Sequence, residues 1–125
     1  MERFVWICLA GAAGTGTRYL IALWTADRFG SAFPYGTLIV NVAGCFLIAL
    51  IMQAAIATSW SPTLRSAIVI GYIGGLTTYS SFNYESTRLL QDGAPDAALN
   101  ALITLGGCFA AGWLGLVVSR HLLGR

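Results

Sequence analysis

Gly71-Tyr72-Ile73-Gly74-Gly75-Leu76-Thr77-Thr78-Tyr79-Ser80-Ser81-Phe82-Asn83-Tyr84-Glu85 is the stretch on which the fold turns. It lies inside an apolar segment at 67–90, yet paired glycines followed by four Ser/Thr residues in five make a poor helix. The reading is a helix interrupted near the middle of a span, at Gly74 to Thr78. At membrane depth such a break survives only where it is buried in protein or lines an aqueous path, and the carbonyls it frees are suited to hold a cation. Tyr79 and Phe82 are three apart and share a helical face, with Glu85 one turn further. Ring edges carry partial positive charge, so such a pair turned edge-on to a pathway stabilises a small anion. The plainer alternative is aromatic packing between helices.

Three further apolar segments flank this one, at 4–24, 36–56 and 97–119, each with the roughly 20 residues that cross a hydrocarbon core. Turn chemistry separates them: Asp27-Arg28-Phe29-Gly30-Ser31 with Pro34, then Ser59-Trp60-Ser61-Pro62, then Gln91-Asp92-Gly93-Ala94-Pro95-Asp96. The expectation is an all-α membrane protein, one four-helix transmembrane domain over residues 1–125, with both termini on one side. Composition agrees: only 10% of residues are charged, where a soluble domain carries about a quarter. The net charge of +2, with no basic cluster, argues against a nucleic-acid partner. Arg3, the run Phe4 to Leu9 and Ala10-Gly11-Ala12 imitate a cleavable signal, but a second apolar stretch follows Arg18 at once, so the segment reads as retained.

Cys8, Cys45 and Cys108 are widely spaced in apolar surroundings and read as packing residues rather than as a disulfide or zinc framework. The sole His121 lies beyond the last span and no nucleophile–base pair is spaced for catalysis, so the chain does not read as an enzyme. Arg3, Arg65, Arg120 and Arg125 fall on one side of the expected topology; Arg28 and Arg88, with Arg18 nearby, fall on the other. Four against three sets no orientation by the positive-inside rule. Such balance fits insertion both ways and pairing as an antiparallel dimer, and charge alone leaves a single orientation equally open.

The polar residues within the spans carry the functional argument, because an orphaned polar group in lipid costs several kcal/mol. Arg18 follows Gly11-Ala12-Ala13-Gly14-Thr15-Gly16-Thr17, whose glycines read as close helix contacts. It either snorkels to the interface or anchors a polar network near a vestibule. Asn41, with Gly44 and Cys45 following, gives the second segment a narrow polar face; its amide serves either as interhelical glue or as a donor to an anion. Asn100 and Thr104 are four apart on one face of the last segment, continued by Cys108, and with Asn41 they make a candidate polar track. Gly107, Gly112 and Gly115 read as packing contacts.

Arg18-Tyr19 after a Gly-rich run, Gly36-Thr37-Leu38 through Val40-Asn41 and Gly44, and above all Gly74 to Phe82 with Glu85 resemble the CrcB/Fluc fluoride channels. The resemblance spans essentially the whole chain. It implies an antiparallel, dual-topology homodimer with two pores that exports fluoride passively across the bacterial cytoplasmic (inner) membrane. It also implies a structural Na+ at the dimer centre, held by the backbone carbonyls of Gly74 and Thr77 of each subunit. The fluoride pathway then maps to Asn41, Tyr79, Phe82 and Thr104, with Arg18, Thr78, Ser81 and Glu85 supporting it or lining a vestibule. Tyr79 departs from the family, which carries Phe there, and Asn100 stands where an aromatic is frequent. The rival reading is a small dual-topology, proton-coupled multidrug exporter. That chemistry needs a carboxylate within the first helix, and here Glu85 of the third segment is the only acidic residue within a span. A purely structural membrane subunit is a third reading.

Overall fold

The computed structural model describes residues 1–123, and every regular element among them is helical. Helix α1 runs Glu2–Phe29, α2 Tyr35–Ala57 and α6 Asp96–Leu123. Between α2 and α6 the chain is pieced together from α3 (Pro62–Ser66), a π-helical stretch (Ala67–Ile73), α4 (Gly74–Leu76) and α5 (Tyr79–Gln91). Helices α1, α2 and α6 are long and apolar enough to cross a membrane. The segment expected as the interrupted third span is the exception, because its helical pieces are individually short.

Each element follows from local chemistry. Helix α1 carries Glu2 in its first turn and Arg28 in its last, both favourable to the helix dipole. It stops at Gly30, whose φ of 80° a side chain would resist. Helix α3 starts on Ser61, whose hydroxyl accepts from the Leu64 N–H at 3.2 Å, with Pro62 at the first helical position. Helix α5 starts in the same way on Thr78, whose hydroxyl accepts from the Ser81 N–H at 3.2 Å.

The two most extensive helix contacts in the bundle both depend on small residues. Helix α1 lies against the π-helical stretch and α4 through Gly11, Gly14, Gly71 and Gly75. A Cβ at Gly71 would sit 2.7 Å from the Ile7 carbonyl, and one at Gly75 would run into the Gly11 carbonyl. Helix α2 lies against α6, where a Cβ at Gly115 would meet the Phe46 carbonyl at 2.5 Å and Ala49 Cβ at 2.9 Å. Close backbone approach of this kind substitutes for the hydrophobic drive that helices lack in lipid. The outward faces are strongly apolar, with Phe4, Trp6, Leu20 and Trp24 of α1 and Leu102, Phe109 and Trp113 of α6 exposed on the single chain.

The interruption is narrower than the sequence implies. Gly74 and Gly75 are helical; the extended residues are Thr77 (φ −83°, ψ 153°) and Thr78 (φ −153°, ψ 115°). Gly75 is required for the approach to α1 rather than for the break, and with Gly71 it forms a Gly-xxx-Gly contact face. The basic side chains expected at one end include Arg3, Arg65 and Arg120; Arg125 lies outside the described residues.

Candidate functional site

An interrupted helix leaves backbone groups without their usual partners, so the site is best built by asking where those groups go. The Thr78 N–H would bond the Gly74 carbonyl in a continuous helix. Instead it donates to Asn41 Oδ1 at 2.7 Å, while Asn41 Nδ2 donates to the Thr78 carbonyl at 2.9 Å. One buried amide on α2 thus brackets one extended residue on both sides. The Ser81 N–H, which would have reached the Thr77 carbonyl, turns to Thr78 Oγ1. The Gly75 carbonyl accepts from Arg18 Nε at 3.1 Å. Of the carbonyls around the break, those of Gly74, Leu76 and Thr77 have lost their helical donors, while those of Gly75 and Thr78 accept from the side chains of Arg18 and Asn41.

Thr77 is pinned by both branches of its side chain. Its hydroxyl donates to the Ile73 carbonyl at 2.9 Å, which also receives the Thr77 N–H at 3.0 Å. Its methyl group fills the notch above Gly44, where a Cβ would overlap Thr77 Cγ2. Gly74 by contrast is on the outside of the chain: a Cβ there finds nothing nearer than the Val69 carbonyl, at 3.9 Å.

A cavity of about 240 Å³ opens beside the break, lined among others by Arg18, Thr37, Thr78, Ser81 and Glu85. A second, of about 350 Å³, lies towards the α1–α2 loop and the end of α5, reaching Tyr84, Arg88 and Asp92. Ala22, Gly36, Thr37 and Glu85 line both, so the two meet at the Thr37–Glu85 pair. There Thr37 Oγ1 donates to Glu85 Oε1 at 2.9 Å, and the buried Glu85 Oε2 has no partner among the described residues. Polar groups thus follow one another from the loop end to the break.

The aromatic pair is split in environment. Phe82 is buried at 6% exposure and Tyr79 is 74% exposed, their ring centroids 5.7 Å apart with planes tilted by 56°. Thr104 belongs to a separate hydrogen-bonded chain. Its hydroxyl donates to Asn100 Oδ1 at 3.3 Å, Asn100 Nδ2 donates to Ser86 Oγ at 2.9 Å, and Ser86 donates to the Phe82 carbonyl at 2.7 Å.

The structure therefore brings Arg18, Thr78, Ser81 and Glu85 to one cavity, and sets Asn41, Gly74 and Thr77 around the break. Tyr79 and Phe82 stand together on the first turn of α5. Thr104 does not join Asn41 in one track through hydrogen bonds: it reaches the Phe82 backbone through Asn100 and Ser86. Ser86 was missed by sequence reasoning, although its position one turn after Phe82 marks it. Thr37 was noticed only as part of a motif, and its partnership with Glu85 spans 48 residues. Among the described residues no group of three or more His, Cys, Asp or Glu is placed to hold a metal ion.

Comparison with known proteins gives a consistent match. Residues 5–116 match the family model described as CrcB-like protein, Camphor Resistance (CrcB). A protein of Sorangium cellulosum named as a fluoride-specific ion channel is 52% identical over 125 residues, covering 98% of each chain. Proteins with the same name from Citrifermentans bemidjiense and Geobacter metallireducens are 47% and 49% identical over 124 residues, covering 98% of this chain and all of theirs.

Proposed function

Since this chain belongs to the CrcB-like family, we propose that it is a fluoride-selective channel of the bacterial cytoplasmic membrane, lowering cytoplasmic fluoride by passive export. The observation that carries this reading is the break itself: an extended Thr77–Thr78 pair, with Thr78 bracketed by Asn41, beside a cavity lined with Arg18, Thr78, Ser81 and Glu85.

Fluoride is small and strongly hydrated, so a pathway through lipid must replace its water with donors at every step. Arg18 supplies positive charge beside the break, and its Nε bond to Gly75 holds the guanidinium there. The Ser81 hydroxyl, which accepts from Thr78 Oγ1 and keeps its own proton, and the one Asn41 N–H that Thr78 does not use are further donors. Beyond them the ring edges of Tyr79 and Phe82 present weak positive potential without a titratable charge. Thr104 acts through Asn100 and Ser86 on the backbone beneath Phe82, and so orients that ring.

A dimer completes this arrangement. Tyr79 and Gly74 both lie on the outer surface of the single chain, so a pathway using Tyr79 and a cation site using Gly74 need a second copy to cover them. The apolar surfaces of α1 and α6 offer area for such a partner and for lipid. Antiparallel pairing is compatible with the balanced Arg distribution, which sets no single orientation. The Gly74 and Thr77 carbonyls fit a structural Na+: they are neutral, hard donors, diverted from helical bonding by the bonds just described. Two from each of two chains would surround the ion, which when bound supplies fixed positive charge at the dimer centre. Fluoride efflux from proteoliposomes, read by a fluoride electrode, tests the reading; release no faster than from empty vesicles, with sodium present or absent, refutes it.

A further inference from the structure

Thr77 and Gly44 meet as a key and its socket. The β-branched side chain of Thr77 is fixed by two different interactions, its hydroxyl on the Ile73 carbonyl and its methyl in the notch above Gly44. With both branches held, χ1 has no freedom, and the backbone leaves Thr77 in an extended conformation, not a helical one. The socket belongs to α2, on the same face as Asn41, which lies three residues earlier and brackets Thr78. Two successive residues of the break are thus registered against two residues of one helix. Gly44 is buried, and its Cβ position is already occupied by Thr77 Cγ2, with Ile73 Cγ2 3.9 Å away.

We propose that Gly44 is a positioning residue for the cation site: by seating the Thr77 methyl it aims the Thr77 carbonyl at the bound ion. Helix packing alone explains a small residue at 44, but it does not explain why the atom filling the notch is the methyl of a break residue. Any side chain at 44 must push Thr77 outward, because the obstacle on the other side is the backbone of α2. The carbonyl moves with it, while Asn41 continues to hold Thr78. The inference rests on the sodium reading given above and adds to it the residue that sets the geometry.

The test is a compensating pair. Gly44→Ala adds the methyl that Thr77 excludes; Thr77→Ser removes the methyl that fills the notch and keeps the hydroxyl that bonds Ile73. Purified full-length protein in detergent is titrated with NaCl in a lithium-free potassium background, and the sodium concentration giving half-maximal thermal protection is read. Gly44→Ala is expected to raise that concentration by about 10–100-fold, the usual effect of losing a residue that orients a metal ligand. In the Thr77→Ser background the same substitution is expected to have little further effect, so the double variant binds sodium better than Gly44→Ala alone. Should Gly44→Ala fail to fold, recovery of a monodisperse, sodium-responsive protein in the double variant supports the pairing by itself. Gly44→Ala with a native sodium response, or a double variant no better than Gly44→Ala, overturns it. A native protein with no sodium response refutes the sodium reading first, and is distinguished from failure of the pairing because it appears before any substitution is made.

Discussion

Asn41→Ala is the most informative single change, because its consequences are local and calculable. The substitution removes an acceptor 2.7 Å from the Thr78 N–H, which is left unpaired, and a donor 2.9 Å from the Thr78 carbonyl, which as the N-cap carbonyl of α5 keeps its helical bond. The orphaned N–H costs about 1–3 kcal/mol unless water enters the cavity beside Thr78, and the lost bond to the carbonyl adds about 0.5–1.5 kcal/mol. Water entry sets the lower end of that range, since Thr78 and Ser81 line the cavity of about 240 Å³. Amide hydrogen exchange reads the effect residue by residue. Loss of even ~1.4 kcal/mol of protection at Thr78 accelerates its exchange about tenfold. The neighbouring Thr77 amide, bonded to Ile73 at 3.0 Å, should keep its protection. Thr78 exchange unchanged from native would refute the bracket, and equal acceleration at Thr77 and Thr78 would show that the break melts as a whole rather than opening where Asn41 held it.

Other outcomes follow from the same geometry. Gly75→Leu should destabilise by about 1–3 kcal/mol or more, as overpacking does, because its side chain would run into the Gly11 carbonyl; thermal unfolding in detergent checks this. Phe82→Ile removes the buried ring edge and is expected to abolish fluoride flux while size-exclusion behaviour stays native. Tyr79→Phe keeps the ring and removes one hydroxyl, so its flux should change by less than about tenfold, the worth of one hydrogen bond. Asn100→Leu breaks the chain from Thr104 to Ser86 and should cost about 1–3 kcal/mol, read as a lowered unfolding temperature with flux reduced through displacement of Phe82.

Much of the architecture is legible in the sequence because lipid is a demanding solvent. Apolar runs of span length have few alternatives to helix, and turn residues between them mark the connections. The interruption is legible too, since successive Ser and Thr compete with helical hydrogen bonds. Its position is harder to read. Glycine both weakens a helix and permits close approach, and at Gly75 the second use governs: contact with α1, which no local pattern reveals, keeps Gly74 and Gly75 helical. The actual break falls at Thr77–Thr78, where Asn41 and Gly44 from α2 provide the replacement partners. Those pairings join residues more than 30 positions apart, so the sequence could suggest Asn41 as polar but not as a bracket. The partner of Ser86 is hidden for a related reason. Ser86 reads as one more hydroxyl on a polar helix until Asn100 of α6 is placed against it.

The central claim, that a polar break in the third segment serves selective fluoride passage, is tested most directly by measuring fluoride and chloride efflux from the same proteoliposomes. Rapid fluoride release with chloride release at the empty-vesicle level, the fluoride signal falling to background in Phe82→Ile while chloride is unchanged, is the predicted result. Equal release of both ions, or fluoride release that persists in Phe82→Ile, would contradict it.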